Sequence, residues 1–268
     1  MTSQSSTLVM GILNVTPDSF ADGGRHYKFS DAIARAESMI AEGVDIIDVG
    51  GESTRPGAER IDEATERERV IPVIQELVKL DATVSIDTTR HSIAREAIKS
   101  GARYINDVSG GLADKEMAKV VAEHPHIQYV AMHWRGHSDQ MQNKAVYKDV
   151  VREVKDELQD RIDTLISAGV DPDQLIVDPG IGFAKLAEHN WTLLKNIDRL
   201  ALLGFPLLVG ASRKRFLGEL NGSSNPDDRE AASIAVTAMM AKAGVWGVRT
   251  HSVKPHKDAI ATVMELTS

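Results

Sequence analysis

Leu8-Val9-Met10-Gly11-Ile12-Leu13-Asn14 is a short apolar run closed by an amide. A continuous run of this length, bounded by turn residues, reads as a strand buried on both faces. Asn14 opens a loop rich in Pro, Asp and Gly, and a helical pattern follows. The same unit recurs down the chain. Its apolar runs end in Asp48, Asp87, Asn106, Met132-His133, Asp178, Ser212-Arg213-Lys214 and Arg249-Thr250-His251. Polar chemistry gathered at the C-terminal ends of successive strands predicts a (β/α)8 TIM barrel.

Strands are expected at 8–13, 45–49, 83–86, 104–106, 128–132, 175–177, 207–209 and 246–249. Helices are expected at 30–42, 62–79, 92–100, 115–123, 147–168, 188–203, 229–243 and 253–266. Ser30 is read as the cap of the first helix, Gly43 as its stop, and Gly101 as the stop of the third. The alternation favours a closed parallel sheet in one domain over 1–268. An open doubly wound sheet is the alternative, but such a sheet rarely brings eight strand ends to one site. The polar stretch Gly222 to Asp228 is expected to be a mobile loop.

Composition narrows the function. The chain has 268 residues, a net charge of −8, 42% hydrophobic residues and no cysteine. An acidic protein lacks the basic surface that nucleic acid requires. The absence of cysteine removes disulfides and thiolate nucleophiles and suits a reducing cytoplasm. No leader pattern and no membrane-length apolar run is seen. An anionic substrate would then need a local basic pocket.

Such a pocket is legible. Gly210 to Arg215 follows the seventh strand, where barrels commonly bind phosphate. Arg249 and His251 end the eighth strand two residues apart, on one side of it. Arg213 or Arg215 also reads as salt-bridged scaffold. Arg55, in the loop Gly50 to Ala58, can grip a carboxylate or phosphate through two N–H groups. That loop lacks the Gly-Lys-Ser/Thr of a P-loop. Asn14 offers a neutral oxygen suited to Mg²⁺ already held by a polyphosphate. Asp87, Asn106 and Asp178 end three strands and together suit a heterocycle rich in N–H donors, such as an aminopyrimidinone. Any one of them alone is more often a helix N-cap. His133 and His137 lack the spacing of zinc ligands and are read as loop residues.

Taken together, Met10 to Gly24, Asp48 to Ala58, Ser85 to Thr88, Asn106 to Gly111, Asp178 to Phe183, Gly210 to Gly218 and Gly247 to His251 resemble the dihydropteroate synthases of folate synthesis. Met132 to Arg135 looks like their actinobacterial branch. The resemblance implies 7,8-dihydropterin-6-ylmethyl diphosphate and 4-aminobenzoate as substrates, Mg²⁺ as cofactor, and a homodimer. It implies that Asp87, Asn106, Asp178 and Lys214 hold the pterin, with Met132 beside them. Asn14 would meet the metal, and Arg55, Arg249 and His251 the diphosphate. Thr54, Pro56, Phe183 and Ser212 would shape the 4-aminobenzoate seat, which sulfonamides occupy in that family. Asp87, Lys214 and Arg55 are the expected catalytic residues. Loops 16–24 and 53–57 are expected to close over substrate. A pterin-binding relative without turnover and a methyltetrahydrofolate:corrinoid methyltransferase are the other readings.

Overall fold

A computed structural model describes residues 6–16, 25–52, 60–136 and 141–268, apart from the side chains of 25–28 and 141–142. Eight strands form one sheet. β1 (Leu8–Asn14) lies between β2 (Ile46–Gly50) and β8 (Gly247–Thr250). β3 (Val84–Asp87), β4 (Tyr104–Asp107), β5 (Gln128–Met132) and β6 (Leu175–Asp178) continue beyond β2, and β7 (Leu208–Val209) lies beyond β8. Every pairing is parallel. A parallel bridge between Val177 and Leu207 joins β6 to β7 and closes the barrel.

The helices lie outside. They are α1 (Arg25–Ala41), α2 (Glu63–Lys79), α3 (His91–Lys99), α4 (Met117–Ala122), α5 (Val150–Ser167), α6 (Ala187–Lys195), α7 (Ile197–Ala201), α8 (Arg215–Gly218), α9 (Glu230–Lys242) and α10 (Lys254–Thr267). Asp62 caps α2 by accepting from Thr65 N, and Asp149 caps α5 by accepting from Arg152 N. α1 begins at Arg25, so Ser30 lies inside the helix rather than capping it. No Gly or Pro separates Arg25 from Ser30, so nothing there stops the helix from starting early. Gly43 ends the α1 segment with φ 83°, a conformation cheap only for glycine. The helix expected over 188–203 is two, because Asn196 leaves helical geometry and its side-chain amide bonds Thr192 O at 2.8 Å. The short α8 was not expected.

Alternation along the strands separates two cores. Val9, Ile47, Val49, Ile86, Ile105, Ala131 and Val177 point outward and are buried against helix residues such as Met39, Ile74, Leu77, Ile93, Val121 and Leu158. Burying each such branched side chain is worth about 1.5–3 kcal/mol. Met10, Ile46, Val130, Ile176 and Leu208 point inward as a second cluster, with Leu8, Tyr104 and Trp246 packed on it. This apolar plug fills the lower lumen. Toward the C-terminal rim the inward positions turn mixed, with Asp48, Ser85, Asp87, Asn106, Asp178 and Arg249 beside the apolar Ile12 and Met132. The site therefore stands on a dry, rigid floor.

Candidate active site

Register places the rim residues side by side. Asn14 pairs with Gly50, Gly50 with Asp87, Asp87 with Asn106, and Met132 with Asp178. Each is the last or nearly the last residue of its strand. Asp87 caps no helix, since α3 is preceded by Arg90 and the first-turn amide of His91 donates to Asp114. Asp178 keeps one local role, its Oδ1 accepting Gly180 N at 2.7 Å.

One layer down, Asp48 is fully buried and joins the rim into a network. Its Oδ2 accepts from Arg249 Nε at 2.6 Å and from Asn106 Nδ2 at 2.9 Å. Arg249 Nη2 donates to Asp87 Oδ2 at 2.7 Å. Arg249 was expected on the diphosphate. Here it first bridges two carboxylates across the lumen, while its Nη1 bonds no described residue. Asp48 Oδ1 is buried without a partner among the described residues.

Burial controls the electrostatics. It lifts Asp87 to about 7, against the pull of the Arg249 guanidinium and with a further push from Asp48. Burial also raises Asp178, opposed by Lys214 and by the Gly180 N–H. Lys214 is lowered by burial to about 8, although Asp178 favours its charged form. In a dry lumen, each group's protonation thus depends on what is bound beside it.

The chain turns sharply to place Lys214. Arg213 sits at φ 57°, rare for a side chain with a Cβ. Its N–H donates to Ser233 Oγ, and its guanidinium bonds Glu230 and Asp227. Arg213 is therefore scaffold, one of the two readings open for it. Lys214 donates to Ile181 O and lies 4.5 Å from the centre of the Phe183 ring. Ser212 Oγ lies 3.1 Å from His251 Nδ1 and accepts from His251 N, so those two residues meet beside the mouth. The polar stretch after β7 is tied down: Ser223 Oγ donates to Asp228, and Arg229 bonds Ser224 O and Arg213 O.

Thr54, Arg55, Pro56 and His137, with loop residues 17–24 and 53–57, lie outside the described residues. His133 lies in irregular backbone, as read. It follows β5, but it is buried between Lys185 and Glu157. Asp48 stood out in the sequence only as a polar strand end, with no partner or ligand assigned to it, although Ile46, Asp48 and Gly50 share the lumen-facing parity. Nothing in the sequence singled out Lys185.

A closed barrel with a polar rim over an apolar floor has the form of an enzyme site for a small polar molecule. The profile of the pterin binding enzyme family matches residues 10–251. Dihydropteroate synthase of Mycobacterium leprae is 50% identical over 95% of this chain and 92% of its own length. The structure of Xanthomonas albilineans dihydropteroate synthase with 4-aminobenzoic acid superposes with a TM-score of 0.93 at 39% identity, over 99% of this chain and 94% of that one. The same enzyme in complex with 7,8-dihydropteroate gives 0.90 at 37% identity, over 99% and 95%. The chain belongs to the pterin binding enzyme family and, within it, to the dihydropteroate synthases. The methyltransferase reading falls away with that membership. No described helix is long and apolar enough to cross a membrane.

Proposed function

We propose that the family reaction, joining 7,8-dihydropterin-6-ylmethyl diphosphate to 4-aminobenzoate, runs in this lumen by dissociative displacement. The observation that carries the assignment of residues is the inward convergence of Asp87, Asn106 and Asp178 at the rim, with Lys214 reaching in from the turn after β7. Asn106 and Asp178 offer oxygens to the ring's N–H edge. Lys214 supplies the complementary donor. Met132, 4% exposed, packs beside them.

Asp87 faces the ring as the bond to diphosphate breaks, and its carboxylate stabilises the positive charge that spreads there. Arg55, Arg249 and His251 take the leaving oxygens. Thr54, Pro56, Phe183 and Ser212 form the seat of the arylamine. That amine is already a nucleophile and needs mainly positioning, worth about 7–11 kcal/mol in favourable cases.

The residues suit Mg²⁺ brought in by the diphosphate. A Cβ built on Gly50 would lie 3.5 Å from Asn14 Oδ1 and 3.7 Å from Asp87 Oδ2, so the amide oxygen faces the same mouth as the carboxylates. Among the described residues no cluster of three or more His, Cys, Asp or Glu could hold a metal alone. Asn14 would hold the ion with the substrate's own oxygens, and the ion would neutralise the leaving group. We further propose a homodimer, from the family resemblance, and a cytoplasmic setting, from the cysteine-free sequence.

Asn106→Leu tests the assignment, since it keeps the branched outline and removes the amide. Pterin affinity measured by calorimetry should fall about tenfold or more. Unchanged affinity would move the ring elsewhere.

A further inference from the structure

We infer that Lys185 is a positioning residue for this reaction: its buried ammonium holds segment 180–185 in the shape that offers the Phe183 ring to the arylamine. The inference rests on the assignment of Phe183 above.

Lys185 is 4% exposed, and its three N–H groups meet three acceptors. Gly180 O, Phe183 O and His133 Nδ1 each lie 3.0 Å from Nζ. An ammonium has three donors and no acceptor, so its hydrogen bonding is complete. Two of the acceptors are backbone carbonyls of the segment itself, on either side of Ile181. The third anchors the segment to the end of β5. With His133 Nδ1 accepting, its Nε2 carries the hydrogen and donates to Glu157 Oε2 at 2.9 Å. Arg135 holds Glu157 in turn, bonds Glu153, and lies 3.9 Å from the centre of the Tyr147 ring. Tyr147 Oη returns to the segment, donating to Ala184 O at 3.1 Å. From the α6 side, the Asn190 amide oxygen accepts Gly182 N at 2.7 Å.

The segment is thus fixed from inside by one cation. Burial works against that charge and lowers Lys185 to about 7; Asp178 and Glu157 favour the charged form, while Lys214 and Arg135 oppose it. A buried charge is a poor device for stability alone, because an apolar side chain of similar volume often serves as well or better. A charge with every donor directed at a different point of one loop fixes geometry.

Lys185→Met is the test, because methionine fills much of the space without donors. On folded enzyme, KM for 4-aminobenzoate should rise about tenfold or more while pterin affinity moves less than about threefold. Unchanged KM for both substrates with a lowered Tm would show a purely structural role and overturn the inference. If that variant fails to fold, Lys185→Gln, which keeps an amide donor, should fold and show the same KM split in weaker form; no split would overturn it. Nitrogen NMR of wild-type His133 gives an independent reading. Nδ1 should lack a proton at neutral pH, and a protonated Nδ1 would contradict the geometry. Phe183→Ala separates the two layers of argument: if it leaves KM for 4-aminobenzoate unchanged, the seat itself is misassigned, whatever Lys185 does.

Discussion

At the scale of single residues, the rim was legible because each functional side chain interrupts an apolar run at its end. Asp87, Asn106 and Asp178 stand out in this way. The partnership of Arg249 with Asp48 and Asp87 was not legible, because it crosses the lumen between strands far apart in sequence. Two expectations follow from the buried carboxylates. Asp178→Asn swaps a charged acceptor for an amide that presents one unwanted donor. A charge-assisted bond is worth about 1.5–3 kcal/mol, so calorimetry should show pterin affinity reduced by about tenfold or more. Full affinity would place Asp178 outside the pocket. The second concerns pH. Burial lifts Asp87 to about 7, so the folded protein keeps a proton that the unfolded chain releases near its ordinary range. Stability carried by that retained proton is lost as pH rises toward about 7. Compared with Asp87→Asn, which cannot titrate there, the wild type should lose stability between about pH 4 and about pH 7. Urea melts of both proteins across that window measure the gap, and a constant gap would contradict the shift.

At the scale of elements, the strands and most helices follow from periodicity and caps, and their bounds move by only a few residues. The exceptions have local causes. Ser30 has a cap's chemistry, but the chain ahead of it is already helical. Asn196 breaks a pattern whose apolar spacing continues through it. The turn at Arg213 was hidden because arginine does not advertise positive φ. Two glycines separate ordinary turn strain from site geometry. Gly43 and Gly182 both have positive φ, 83° and 82°. A Cβ on Gly43 meets nothing within 4 Å, whereas one on Gly182 lies 2.7 Å from Lys214 Cδ. Gly43→Ala should lower stability by about 1–2 kcal/mol and leave steady-state kinetics unchanged. Gly182→Ala should lose a similar amount and also displace Lys214, cutting kcat/KM for the pterin by about tenfold or more. Equal kinetics in the two variants would show that Lys214 has room to move away without consequence.

At the scale of the whole molecule, an apolar plug and a polar rim divide one lumen, and the family reaction uses only the rim. Closure through Val177 and Leu207 could be expected from eight repeated units, but the two-residue β7 could not be read from its longer apolar run. The proposed metal behaves as part of the substrate. Calorimetry should therefore show little Mg²⁺ binding to the protein alone and clear binding with diphosphate present. Tight binding without diphosphate would point to a resident site. Bond formation in this lumen is tested by incubating the purified protein with 7,8-dihydropterin-6-ylmethyl diphosphate, 4-aminobenzoate and Mg²⁺ and following products by mass spectrometry. The expected products are 7,8-dihydropteroate and diphosphate in equal amounts, with formation strongly reduced in Asp178→Asn. Tight binding of the pterin with no 7,8-dihydropteroate formed would contradict the proposed reaction and mark the chain as a binder without turnover.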